Sequence, residues 1–116
     1  GGSVTANTTA TGGIEHAGTV SLTTVEATVS GGSPTTVNGS AAKDMIFLKN
    51  TGYNYDSGLG STKRTTETVN VTVGSQLVCK LNSGGAICLP HTPAAAVKVQ
   101  SSDASNNIAV ECLLVT

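Results

Sequence analysis

The groups in this chain that could do chemistry are three cysteines, two histidines and a loop carrying tyrosine, lysine and arginine. Cys79, Cys88 and Cys112 cannot all pair within one chain, and an odd count favours a reducing compartment with buried free thiols. The spacing also allows a second arrangement. If Asn82-Ser83-Gly84-Gly85 closes a hairpin with Ser83-Gly84 at its tip, Cys79 lies opposite Cys88 in a non-hydrogen-bonded pair. Side chains come closest there, so a strained cross-strand disulfide could form. Packed thiols are the plainer alternative.

His16 sits in Gly12-Gly13-Ile14-Glu15-His16-Ala17-Gly18 and His91 in Leu89-Pro90-His91-Thr92-Pro93, neither with a Cys or carboxylate at metal-ligand spacing. Both are expected to be solvated loop histidines. Cys88 and His91 could be drawn as a thiol–imidazole pair, but no third group orients them and no oxyanion hole is in view. The chain contains no glycine-rich phosphate loop, nucleophile elbow or zinc motif. The expectation is a non-enzyme with no metal and no cofactor. Asn7-Thr8-Thr9, Asn38-Gly39-Ser40 and Asn70-Val71-Thr72 fit the glycosylation pattern, which arises readily by chance in a chain this rich in Ser and Thr.

Tyr53, Tyr55, Lys63 and Arg64 are the candidate partner contacts, because exposed Tyr and Arg anchor protein interfaces. One tyrosine is expected to pack inward and the other to be displayed. They flank a polar loop over residues 54–66, and loops of that length tend to be functional or mobile.

Positioning these groups falls to strands. The 116 residues suit one domain with a modest core, and Thr, Val, Ser, Gly and Ala dominate them. With 11% charged residues and a net charge of −1, no basic patch exists for nucleic acid. No apolar stretch is long enough to span a membrane, and no signal segment is visible at the N-terminus. The densest apolar run, Met45-Ile46-Phe47-Leu48, ends at Lys49-Asn50-Thr51-Gly52 and reads as a short strand buried on both faces, the anchor of the core.

Residues 19–30 alternate in two phases, Val20 and Leu22 in one and Val25, Ala27 and Val29 in the other, which predicts a bulge or bend near Thr23-Thr24. Val69, Val71 and Val73 alternate with Thr68, Asn70 and Thr72, and Gly74-Ser75 then turns the chain. In the following strand Leu77, Cys79 and Leu81 are expected to share a face. A last hairpin is expected to join residues 96–100 to 108–115, the latter central or covered because apolar residues occupy both of its faces. Residues 1–13 are too small and polar to fold alone and read as an extended or disordered arm. Residues 14–116 then form one all-β domain, an antiparallel sandwich of about eight strands with jelly-roll or β-tulip character.

Three stretches, Met45-Ile46-Phe47-Leu48-Lys49-Asn50-Thr51-Gly52-Tyr53, Thr68-Val69-Asn70-Val71-Thr72-Val73 and Val97-Lys98-Val99-Gln100-Ser101-Ser102-Asp103 followed by Ile108-Ala109-Val110-Glu111, give the chain a pattern that resembles small structural proteins of tailed bacteriophages. Capsid decoration (cement) proteins of this kind look like compact β-sandwich or β-tulip folds, commonly trimeric, with an N-terminal arm. The resemblance covers residues 42–115 and implies a virion protein on the capsid surface, made in the host cytoplasm. Its partners would be the major capsid protein and copies of itself, as a homotrimer. A second class is a cell-surface or fibre-tip β-sandwich module binding carbohydrate or another protein. Polar loops favour that class, and the absence of Trp for sugar stacking counts against it.

Overall fold

The computed structural model describes residues 20–39, 41, 43–55, 64–89 and 95–116. The arm at 1–13, His16, Lys63 and His91 lie outside the described residues. Eight strands run as β1 (Val20–Ala27), β2 (Thr35–Asn38), β3 (Met45–Asn54), β4 (Val69–Val73), β5 (Gln76–Leu81), β6 (Ala86–Leu89), β7 (Val97–Ser101) and β8 (Ile108–Val115). They form two four-stranded antiparallel sheets, β1-β8-β3-β6 and β2-β7-β4-β5, which pack as a β-sandwich. The all-β expectation holds, with no helix among the described residues.

Alternation decides which residues enter the core. Ala27, Ile46, Leu48, Ile108, Val110 and Cys112 come from the first sheet, and Val69, Val71, Leu81, Val97 and Val99 from the second. Each lies at a position of one parity along its strand, since successive side chains point to opposite faces. The core is therefore aliphatic.

Several connections differ from expectation, all for one reason. Every link between consecutive strands crosses from one sheet to the other except β4–β5. That link is the two-residue turn Gly74-Ser75, with Val73 opposite Gln76. The expected final hairpin does not form, because β7 and β8 belong to different sheets. The turn between them bonds sideways to the exit of β1 instead. Ser101 N–H donates to Thr28 O at 2.8 Å, Ser30 N–H to Asp103 O at 2.9 Å and Val29 N–H to the Asn107 side-chain oxygen at 2.9 Å. Gln100 adds bonds from its amide to the carbonyls of Val29, Ser30 and Gly32. β8 is central, between β1 and β3, as its two-faced apolar pattern predicts.

The hairpin over 82–85 is also a crossing, from β5 in one sheet to β6 in the other. Cys79 pairs in register with Val71 and Cys88 with Phe47, so the two thiols are not opposite each other. The proposed Cys79–Cys88 bridge is thereby corrected: Cys79, Cys88 and Cys112 are all free thiols. They are not uniformly buried either, since Cys88 is exposed and Cys79 half-buried. Burial pushes the thiols of Cys112 and Cys79 upward. A raised thiol pKa means the fold retains a proton that the unfolded chain releases. That contribution is full below the ordinary thiol pKa of about 8.5 and is lost as pH rises beyond it. Denaturant midpoints taken from neutral into alkaline pH are expected to fall, and to fall less steeply in Cys112→Ala.

Three further expectations change. β3 is ten residues long and runs through Asn50-Thr51-Gly52 rather than stopping there. It buries one face only: Ile46, Leu48, Asn50 and Gly52 point inward, while Met45, Phe47, Lys49 and Thr51 alternate with them and are half-buried. Phe47 thus lies outside the core. β1 pairs with β8 in unbroken register from Val20–Val115 to Ala27–Ile108, so no bulge sits at Thr23-Thr24. The phase change instead puts Val25 and Ala27 on the core side and Val20 and Leu22 on the outer side. The register shifts elsewhere, between Thr36 and Asn38 in β2, between Asn50 and Asn54 in β3, and in β5, where Val78 is the extra residue. The shift in β5 places Leu77 opposite Thr72 on the outer face, away from Cys79 and Leu81.

Candidate functional site

The inner face of β3 carries a polar residue where the pattern predicts an apolar one. Asn50 is fully buried, and both its side-chain nitrogen and its side-chain oxygen are hydrogen-bonded. The amide donates to Glu67 O and to Leu81 O at 3.0 Å each, and its oxygen accepts the N–H of Gly52 at 3.0 Å. On the main chain, Asn50 N–H donates to Gly85 O at 2.9 Å and Gly84 N–H to Asn50 O at 2.8 Å. One residue therefore ties β3 to the end of β5, to the 82–85 turn and to the segment leading into β4. Buried polar groups are tolerated when satisfied in this way.

This hub fixes the surface above it. Gly52 has φ of +78°, a conformation that favours glycine, and a Cβ there would stand 2.4 Å from Ser83 Oγ. Ser83 can rotate aside, so the backbone strain dominates. Gly52→Ala is expected to cost about 1–2 kcal/mol in thermal or chemical unfolding. The carbonyl of Gly52 accepts Thr65 N–H at 2.8 Å, and Tyr53 bridges to Arg64. That pairing brings the Arg64 guanidinium over the Tyr53 ring, 5.9 Å from its centroid, within cation–π range.

Thr51, Gly52, Tyr53, Arg64, Ser83 and Gly84 line a shallow pocket of about 140 Å³. The Thr51 hydroxyl is committed to Ala109 O at 2.7 Å and Gly84 N–H to Asn50 O. Arg64 and Ser83, both exposed, remain as donors toward solvent. A guanidinium on an aromatic face beside a hydroxyl suits a carboxylate or main-chain carbonyls of another protein.

Of the sequence-level candidates, the structure brings Tyr53 and Arg64 together. Tyr55 is half-buried, its N–H held by Asn107 O at 2.8 Å. Positions two apart in an extended chain share a side, and Tyr53 and Tyr55 are both half-buried, so the expected split into one buried and one displayed tyrosine is corrected. Sequence reasoning missed Asn50. Its parity with Ile46 and Leu48 was the available signal.

The outer faces of the two sheets differ in kind. On the second sheet the outward positions include Thr36, Lys98, Gln100, Asn70, Thr72 and Lys80, with Leu77 and the bulged Val78, 52% and 46% exposed, on edge strand β5. On the first sheet they form cross-strand rows. Val20, Val115 and Met45 make one row, and Leu22, Leu113, Phe47 and Cys88 the next. The third is Thr24, Glu111, Lys49 and Ala86. Val20 is 39% and Leu22 46% exposed.

Among the described residues no group of three or more His, Cys, Asp or Glu side chains could hold a metal, and no helix is long and apolar enough to cross a membrane. No protein family, curated protein or solved structure matches the chain.

Proposed function

We propose that this chain is a non-enzymatic structural protein of a virus particle, a capsid decoration (cement) protein that bridges major capsid subunits. The observation that carries the reading is a β-sandwich presenting two contact-type surfaces: the braced Tyr53–Arg64 pair and an apolar outer sheet face. Both surfaces suit protein partners. The likeness of its strand-and-turn pattern to phage cement proteins points the same way.

In this mechanism the domain acts as a preformed plug. A scaffold whose contact residues are already held loses little entropy on docking, so more of the interaction energy appears as affinity. Arg64 would engage a carboxylate or carbonyl edge on the shell, with the Tyr53 ring fixing its direction. Contacts of this kind across subunit boundaries add area that resists internal pressure.

The test is sedimentation of the purified chain with expanded phage shells lacking it. Arg64→Glu is expected to cut the retained amount about tenfold, a loss near 1.4 kcal/mol, with the unfolding midpoint unchanged. Full retention of Arg64→Glu would remove this site from the interface.

A further inference from the structure

We infer that the outer face of the β1-β8-β3-β6 sheet is an interface on which a second copy of this chain packs, related to the first by a two-fold axis. The inference does not depend on a capsid.

The contrast between the two outer faces is the starting point. Both run across four antiparallel strands, yet one is polar except for Leu77 and Val78 on its edge strand and the other carries two apolar rows spanning adjacent strands. An antiparallel sheet that faces water alternates apolar-in with polar-out. The second sheet departs from that rule only at Leu77 and Val78 on its edge strand β5, whereas the first breaks it across three adjacent strands at Val20, Leu22, Leu113, Val115, Met45 and Phe47. Contiguous exposed apolar patches mark contact sites.

The arrangement of the rows selects the occupant. The strand order places β8 and β3 at the centre, β1 and β6 at the edges. A two-fold axis lying in the contact plane, parallel to the strands and midway between β8 and β3, sets each row on itself. Phe47 then meets Leu113 of the other copy, Met45 meets Val115, and Leu22 meets Cys88. The third row is decisive. Lys49 and Glu111 are register partners on this face, and the same axis puts Lys49 of each copy against Glu111 of the other. The charged row is complementary to itself, whereas a partner of one dominant charge would be attracted by one residue and repelled by its neighbour.

Size agrees. Four strands spaced about 4.8 Å and a β8 of about 3.3 Å per residue give a face of roughly 500 Å² in projection. Side-chain relief raises this toward the ~800 Å² that each partner contributes to a standard interface. The chain's own preceding segment is a poor match in composition. Residues 1–19 contain only Val4 and Ile14 as large apolar side chains, too few to oppose both apolar rows.

The experiment is light scattering of the full chain across a dilution series, paired with one engineered crosslink. The expected mass is twice the 11.5 kDa of the chain, dissociating on dilution. Leu113→Glu should weaken the pair by at least about tenfold, a loss of 1.4 kcal/mol or more. Leu77→Glu, on the outside of the other sheet, should leave the mass unchanged. Lys49→Glu should dissociate the pair, and Lys49→Glu combined with Glu111→Lys should restore it. Circular dichroism of each variant separates misfolding from dissociation.

The crosslink is the sharper arm. Leu22 and Cys88 lie three strands apart within one chain, about 14 Å, beyond the reach of a disulfide. Leu22→Cys protein treated with a short thiol–thiol crosslinker, reaching about the 10 Å between packed sheets but short of ~14 Å, is therefore expected to run as a covalent dimer on denaturing gels, and to lose it in the Cys88→Ser background. A chain monomeric at every concentration without this crosslink overturns the inference. So does a trimer, or any oligomer indifferent to Leu113→Glu. A monomer that dimerises only after removal of residues 1–19 would give the face to the chain's own N-terminal segment and would also overturn it.

Discussion

Asn50→Leu is expected to lower the unfolding free energy by about 3–5 kcal/mol, read from guanidinium transitions monitored by circular dichroism. Leucine has the same number of side-chain heavy atoms and the same branching as asparagine, so shape alone would predict a mild effect. The loss comes from what the amide leaves behind. Glu67 O, Leu81 O and Gly52 N–H each lose a partner, and an unsatisfied buried group costs about 1–3 kcal/mol. Because these groups sit on three different segments, the damage should spread to the Tyr53–Arg64 surface. A penalty below about 1 kcal/mol would mean that water or backbone shifts replace all three bonds, and Asn50 would not be the hub described.

The second large effect separates two neighbours in β3. Leu48→Ala should destabilise by about 2–5 kcal/mol, because Leu48 is fully buried and truncation opens a cavity between the sheets. Phe47→Ala removes a larger side chain yet should cost less than about 1.5 kcal/mol at monomer concentrations, since the ring lies on the outer face and is only half-buried. Equal losses would place Phe47 in the core, contrary to the alternation of β3.

The same pair illustrates what the sequence disclosed. Parity is a local property, and strands with clean alternation, such as β4 with Val69 and Val71, were legible outright. Met45-Ile46-Phe47-Leu48 was not, because an unbroken apolar run looks the same whether both faces are buried by one chain or one face awaits another surface. Asn50-Thr51-Gly52 resembled a turn, yet the strand continues through it, since the hydrogen bonds of Asn50 come from segments far away in sequence.

Turn chemistry was legible where its consequence was not. Asn82-Ser83-Gly84-Gly85 does turn, with Gly84 at φ +81° and Gly85 N–H donating to Asn82 O at 2.7 Å. Whether the flanking strands pair with each other or enter different sheets depends on Asn50, which takes Gly84 N–H and gives its own to Gly85. Residues 101–107 pose the same choice. There Asp103 caps the turn through Ser105 N–H and the Asn106 amide, which hold its carboxyl below the usual carboxylate range. Ser101 meanwhile bonds across to Thr28. Local residues set the bend and distant ones set the sheet. The Cys79–Cys88 bridge failed for that reason.

Of the candidate site, Tyr53 and Arg64 could be picked out by residue type, but their stacking needed the bridge across the end of β3. The apolar outer face was foreshadowed by the two-faced pattern of β8 and the phase change in β1. Only the register assembled those fragments into rows.

The proposed role, a structural component of a virus particle, requires the chain to travel with assembled particles. The most direct measurement is density-gradient purification of particles from a lysate of the source, with quantitative mass spectrometry of every fraction. This chain is expected to band with the major capsid protein at a fixed ratio through the particle peak. Its recovery only at the top of the gradient, apart from the capsid protein, would contradict it.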